Sequence, residues 1–190
     1  GELTTGFLRI GFVGGAGSNV KIVTSEAYAC EPDKDSFFAA PLKGDRTDSK
    51  NGHLFGITDR YRVAGYGNEL APEEYEPFWF RTFRFVQLSI TVGSTPLTLN
   101  NLHYRETGYP LAPTAQVETS DKSLAGIWDI SLRTLRRCMH ETYEDCPYYE
   151  QLQYAMDTRS QILYTYSVAM DDRMARRTID DFHRSLRYDG

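Results

Sequence analysis

The hydrophobic period of this chain changes once, and that change restricts the possible folds more than any other feature of the sequence. Before about residue 99, apolar side chains come in short runs or in alternation, the period-two signature of strands. Phe7-Leu8-Arg9-Ile10-Gly11-Phe12-Val13 and Val20-Lys21-Ile22-Val23-Thr24 are β-rich runs. Asp59-Arg60-Tyr61-Arg62-Val63 and Phe83-Arg84-Phe85-Val86-Gln87-Leu88-Ser89-Ile90 alternate. After about residue 119 the apolar positions recur at three- and four-residue steps instead. Strands followed by helices, without βαβ alternation, predict an α+β chain of two segregated modules. The reading divides it into a β-sandwich or jelly-roll segment at 1–99, a linker at 100–118 containing Tyr109-Pro110-Leu111-Ala112-Pro113, and a helical part at 119–190.

Three helices are expected. The first carries Leu124, Ile127, Trp128, Leu135, Cys138 and Met139 on one face, with Arg133, Arg136 and Arg137 off it. The second starts near Pro147, a residue suited to a first helical turn, and runs to about Ala169. The third, from about Asp172 to Leu186, carries Met174, Ile179, Phe182 and Leu186 and sets Arg176–Asp180 and Arg177–Asp181 as four-apart surface pairs. In the β part, residues 43–52 read as a loop. Gly11-Phe12-Val13-Gly14-Gly15-Ala16-Gly17 has the glycines of a nucleotide-binding loop, but such a loop must open a helix and a strand pattern follows. A hairpin turn is the better reading.

Composition narrows the partners. The chain has 190 residues, 41% of them apolar, enough to bury a core. A net charge of −5 gives no nucleic-acid footprint. No apolar run reaches the roughly 18 residues of a membrane span. Neither nucleic acid nor a membrane is therefore expected as a partner. Cys30, Cys138 and Cys146 form neither an even disulfide framework nor a metal-type spacing, and His53, His103, His140 and His183 are scattered, so no metal and no cofactor are expected. The chain opens Gly1-Glu2 rather than with Met and shows no signal peptide; its natural N-terminus is expected to lie elsewhere, and the compartment stays open. The 13% aromatic content, with 13 Tyr, is high. Core and edge packing account for such a content; sugar stacking is the sharper use.

The chemistry concentrates in Asp145-Cys146-Pro147-Tyr148-Tyr149-Glu150-Gln151-Leu152-Gln153-Tyr154-Ala155-Met156-Asp157. On a helix turning about 100° per residue, Glu150 and Asp157 fall within roughly 20° of one another, with Tyr154 and Gln161 in the same stripe. Leu152, Ala155, Met156, Ile162, Leu163 and Tyr166 would form the apolar stripe opposite. Two carboxylates beside an aromatic platform suit acid/base work on a sugar. Spacing alone favours a polar stripe facing water, and Asp145 alone reads as a helix N-cap.

The same residues resemble the α-L-rhamnosidases of glycoside hydrolase family 78, where their catalytic helical barrel begins. Those enzymes carry Asp-Cys-Pro, then Glu five residues after the Asp, an aromatic nine after it and a second Asp twelve after it; here these are Asp145-Cys146-Pro147, Glu150, Tyr154 and Asp157. Trp128-Asp129-Ile130, Thr134-Leu135-Arg136-Arg137-Cys138-Met139-His140-Glu141-Thr142 and Phe80-Arg81-Thr82-Phe83-Arg84-Phe85-Val86 match as well. The resemblance is strong from about Pro77 onward and weak over the first forty residues.

That resemblance implies an (α/α)6 barrel of six helical hairpins, of which this chain, ending Tyr188-Asp189-Gly190, would hold only the first helices. It implies an inverting hydrolase that removes terminal α-L-rhamnose from a rhamnose-containing glycoside or polysaccharide. Glu150 would be the general acid. Asp145 and Asp157 would supply the negative charge that keeps a proton on it and would accept hydrogen bonds from rhamnose hydroxyls; Tyr154 would pack on the sugar. The general base lies far downstream in the family, so these 190 residues alone are expected to be inactive. The family often places Arg on both sides of the acid and Trp at the aromatic position, with Gly just before the second Asp. Here Tyr149, Gln151, Tyr154 and Met156 stand there, which bears on linkage and aglycone preference. The rival readings are a non-catalytic carbohydrate-binding module and a six-hairpin glycosidase of other sugar specificity.

Overall fold

The computed structural model describes residues 2–30 and 44–187. Lys43 of the expected loop and the terminal Tyr188-Asp189-Gly190 lie outside the described residues. The chain divides into two compact units, Gly1–Glu106 and Thr107–Gly190.

The first unit is all β. Its strands are β1 (Thr4–Gly14), β2 (Asn19–Ser25), β3 (Tyr28–Ala29), β4 (His53–Leu54), β5 (Ile57–Arg62), β6 (Glu73–Tyr75), β7 (Arg81–Phe83), β8 (Phe85–Thr91) and β9 (Leu97–Glu106). β1 is the centre of a four-stranded sheet: β9 pairs along it, while β7 meets its start at Thr4–Gly6 and β6 its end at Ile10–Phe12, all antiparallel. β2 centres a three-stranded antiparallel sheet between β5 and β8. Leu8, Ile10 and Phe12 of β1 and Val20 and Ile22 of β2 join Val63, Tyr75 and Phe83 in one core. Each of the larger side chains contributes about 1.5–3 kcal/mol by leaving water.

Charged residues tie the two sheets together. Arg81 of β7 makes a bidentate pair with Asp59 of β5, at 2.8 and 2.9 Å. Glu73 of β6, 1% exposed, accepts the Tyr61 hydroxyl from β5 and the backbone N–H groups of Ala64 and Gly65, all at 2.8 Å. Burial opposes ionisation of Glu73, but these donors outweigh it and hold its carboxyl below the usual range. Arg9 and Glu76 form a further ion pair.

Three sequence expectations for this unit need correction. The glycine-rich segment is not a hairpin, because β1 and β2 enter different sheets. Gly14, Gly15 and Gly17 take φ of 66°, 71° and 79°, a left-handed path that only glycine follows freely and that carries the chain from one sheet to the next. The alternating run Phe83 to Ile90 is two strands: the chain leaves the first sheet at Phe83 and enters the second at Phe85, with the Arg84 N–H bonded to the Ser25 carbonyl at 2.9 Å. Residues 100–106, assigned to the linker, belong to β9. Its polar Asn100 and Asn101 hide the alternation, and the register with β1 shifts between Gly11 and Phe12 just there.

The second unit holds α1 (Leu124–Arg137), α2 (Ala155–Ala169) and α3 (Arg173–Ser185). Its core gathers Leu111, Leu135, Met139, Tyr143, Val168 and Met174, with Trp128, Leu132 and Ile162 packed against it. Tyr109 is held by its hydroxyl to Asp171 at 2.8 Å, and Arg173 grips the same carboxylate at 2.6 Å while lying over the Tyr109 ring. Arg173, against the cost of burial, holds the Asp171 carboxyl far below the usual range, with help from Tyr109.

The second helix begins eight residues later than Pro147 suggests. Residues 147–150 form a turn, and Gln151 then takes φ 55°, a left-handed conformation that interrupts any helix for a non-glycine residue. The burial of α2 also differs from the expected stripe: Thr158, Thr165 and Val168 are buried, while Leu152, Met156 and Leu163 are exposed. In α3, Arg177 pairs with Asp181 as expected, whereas Arg176 turns back to Asp172 and Arg184 takes Asp180.

Candidate active site

The motif at 145–157 is a closed loop leading into α2. Asp145 ties its ends. Its N–H donates to the Leu152 carbonyl at 2.8 Å, and its Oδ1 accepts the Leu152 N–H at 3.0 Å. Within the loop, the Gln151 amide donates to the Pro147 carbonyl at 2.9 Å, and the Glu150 N–H donates to Cys146 Sγ at 3.3 Å. These bonds satisfy polar backbone groups that a helix would otherwise use, which explains how the loop holds its shape outside regular structure. Tyr148 is buried and meets the exposed Tyr149 edge-on at 4.9 Å.

Deeper layers hold the loop from below. The Glu144 N–H donates to the Cys138 carbonyl at 2.9 Å just past α1, and Gln161 of α2 donates its amide to the Glu144 carbonyl at 2.6 Å. The Glu144 carboxylate, itself buried, meets His140 Nδ1 at 3.0 Å. The buried Tyr143 hydroxyl donates to Thr165 at 2.8 Å, and Gln153 reaches Thr178 of α3 at 2.8 Å. The sequence reading missed Glu144, Tyr143 and Gln153 as supports. The four-residue spacing of His140 and Glu144 was the available signal, but it reads as a helical pair and α1 has ended by then. Burial pushes the Cys138 thiol up to about 12, so it is not a reactive nucleophile. Cys30, Cys138 and Cys146 are all free thiols.

Glu150 and Asp157 do not share a helix face, because Glu150 precedes the helix and Asp157 lies in its first turn. They meet another way. Tyr154, the residue that begins α2 in extended conformation, donates its hydroxyl to Glu150 Oε2 at 2.5 Å. That bond, then burial, then the charges of Glu150, Asp145 and Asp157 hold the proton on the Tyr154 hydroxyl and push its pKa above the ordinary value. Of the four sequence-selected residues, Tyr154 and Glu150 are thus bonded directly, while Asp145 and Asp157 act on the same hydroxyl through charge alone. Glu150, Tyr154 and Asp157 are exposed and Asp145 is half-buried. Among the described residues nothing bonds Glu150 Oε1, so one carboxyl oxygen is anchored and the other faces out. The arrangement offers carboxylate oxygens beside an aromatic ring.

Among the described residues no three His, Cys, Asp or Glu side chains gather as a metal cage. No described helix is long and apolar enough to cross a membrane.

Comparison with known proteins bears on the same segment. Residues 112–190 match the bacterial alpha-L-rhamnosidase 6 hairpin glycosidase domain. Over 94% of its length the chain superposes on a GH78 family rhamnosidase of Bacillus sp. GL1, with TM-score 0.72 and 26% identity, covering 17% of that protein. A rhamnosidase from Klebsiella oxytoca with rhamnose bound aligns over 93% of this chain and 33% of its own, with TM-score 0.60 and 21% identity, a likeness of fold. No curated protein sequence matches the chain. The chain thus spans a minor part of the solved structures it resembles. Over residues 112–190 the chain is similar to the rhamnosidase six-hairpin glycosidase domain, and over most of its length its fold is similar to that of a GH78 family rhamnosidase.

Proposed function

We propose that this chain supplies the general-acid side of an inverting α-L-rhamnosidase site, acting in the full-length protein on terminal rhamnose of a glycoside or polysaccharide. The observation that carries the reading is the hydrogen bond from Tyr154 to Glu150 Oε2, made at the start of α2 in the segment that matches the glycosidase domain, with Asp145 and Asp157 in the same motif. Inversion requires one carboxylic acid to protonate the leaving oxygen and one carboxylate to activate water, set roughly 6.5–9.5 Å apart. Glu150, anchored through Oε2 with Oε1 outward, is the acid. Asp157 and the outer oxygen of Asp145 receive sugar hydroxyls, and the Tyr154 ring lines the apolar face. The base belongs to the part of the barrel that follows in the family. The β unit would then be a sandwich module and the three helices the opening hairpins of an (α/α)6 barrel.

The test is a panel of aryl glycosides given to the full-length protein. The reading predicts turnover of aryl α-L-rhamnoside well above the α-D-mannoside and β-D-glucoside. Turnover of another glycoside with none of the rhamnoside would support the rival six-hairpin specificity. Binding of rhamnosides with no hydrolysis at all would support a carbohydrate-binding role.

A further inference from the structure

The Tyr154 position carries more than a stacking surface. A ring that only packs against sugar needs no particular hydroxyl partner, and Tyr154 is 42% exposed, free to hydrate that hydroxyl instead. The hydroxyl is committed to one oxygen of one residue, Glu150 Oε2, at 2.5 Å. The Glu150 backbone is fixed under that bond, because its N–H is bonded to Cys146 Sγ and the loop is closed on both sides by Asp145 and Gln151. At the position where the resemblance places Trp, this chain has a side chain whose polar atom is at the far end of the ring.

We infer that Tyr154 is a positioning residue for proton donation: its hydroxyl fixes Glu150 through Oε2, leaves Oε1 as the oxygen that delivers the proton, and stabilises the carboxylate that remains. The inference rests on the reading of Glu150 as the general acid. In the reaction the anomeric C–O bond breaks and the Oε1 proton passes to the leaving oxygen. Water's oxygen bonds the anomeric carbon, and its proton goes to the base. Glu150 ends as a carboxylate. A hydrogen bond to a carboxylate is stronger than one to the neutral acid, so the Tyr154 bond tightens as the proton leaves. It therefore favours the transition state over bound substrate and acts on kcat rather than on KM.

The test compares the full-length protein with its Tyr154→Phe, Tyr154→Trp and Glu150→Gln variants on methyl and nitrophenyl α-L-rhamnosides. Phe and Trp both keep an aromatic ring and lose the hydroxyl. Each is expected to lower kcat about tenfold on the methyl rhamnoside, the size of a hydrogen bond to a charged group, and only about twofold on the nitrophenyl substrate, with KM little changed. In a Glu150→Gln background, Tyr154→Phe should add almost nothing, since the two residues act as a unit. Wild-type kinetics of Tyr154→Phe on both substrates would overturn the inference. So would a raised KM with equal loss on both, which is the behaviour of a packing surface alone. If Glu150→Gln itself shows no dependence on the leaving group, the acid assignment fails and takes the inference with it. If Glu150→Gln shows it and Tyr154→Phe does not, the inference alone fails. Thermal midpoints of the variants close to wild type exclude a folding defect.

Discussion

Each unit of this chain contains a glutamate that accepts a tyrosine hydroxyl, and the two pairs differ in everything else. In the β unit, Tyr61 donates to Glu73, and Glu73 is 1% exposed with its second oxygen bonded to the Gly65 N–H. In the helical unit, Tyr154 donates to Glu150, which is exposed and has one oxygen that no described residue bonds. The first carboxylate is fully committed to closing a turn and joining strands of two sheets. The second is held at one end and offered at the other. The same pair of residue types thus closes a fold where protein donors occupy both oxygens, and leaves an oxygen open where we propose that it serves chemistry.

The contrast extends to apolar surface. The β unit buries its alternating residues between sheets, and Leu8, Ile10, Phe12 and Ile22 are at most 1% exposed. On the helices, Ile127, Ile130, Met156, Leu163 and Ile179 are all more than half exposed. Beside its own core, that unit is tied at the ends and connections of the helices by Tyr109–Asp171–Arg173 and Tyr143–Thr165.

The sharpest way to break this comparison is to truncate the committed glutamate. Glu73→Ala leaves the Tyr61 hydroxyl and the backbone donors of Ala64 and Gly65 without their acceptor. It should destabilise the β unit by about 3 kcal/mol, measured by urea unfolding. A loss comparable to that of an ordinary surface substitution would show that Glu73 is not a structural tie.

A smaller effect follows from pH. The carboxyls of Glu73 and Asp171 are both held below their ordinary values in the folded chain. Groups with depressed folded values contribute stability that is fully present above the unfolded values of roughly 4, and that stability is lost as pH falls through the folded ones. Urea midpoints should therefore fall on acidification below about pH 4.5. Asp171→Asn should be less stable than wild type at pH 7 and show a shallower decline in acid. An identical slope in both proteins would mean that the Tyr109–Asp171–Arg173 cluster does not couple to protonation.

Much of this was legible in the sequence where local pattern and tertiary context agree. β1 and β2 carry strong β-rich runs that are buried in the core, and both were readable. α3 was readable because its ends coincide with Asp172 and Leu186. Context won elsewhere. Nothing local distinguishes Arg84 as the residue where the chain changes sheets, because its alternation continues unbroken. Pro147 reads as a helix start, but Asp145 captures Leu152 seven residues on and Gln151 turns left-handed, so helical geometry waits until Ala155. The four candidate residues were selectable by motif. The bond between Tyr154 and Glu150 was not, because the supposed shared helix face does not exist and Glu150 precedes the helix.

The measurement that tests the account most directly places the two glutamates side by side. Glu150→Gln and Glu73→Gln are made in the full-length protein, and each is assayed for thermal midpoint and for kcat on methyl and nitrophenyl α-L-rhamnosides. The account predicts that Glu150→Gln keeps the wild-type midpoint and loses about 10²–10⁴-fold in kcat on the methyl substrate, with a much smaller loss on the nitrophenyl one. Glu73→Gln should lower the midpoint while leaving the ratio of the two activities unchanged. A Glu150→Gln protein that unfolds early, or that loses both activities equally, would contradict the claim that the open carboxylate is the proton donor.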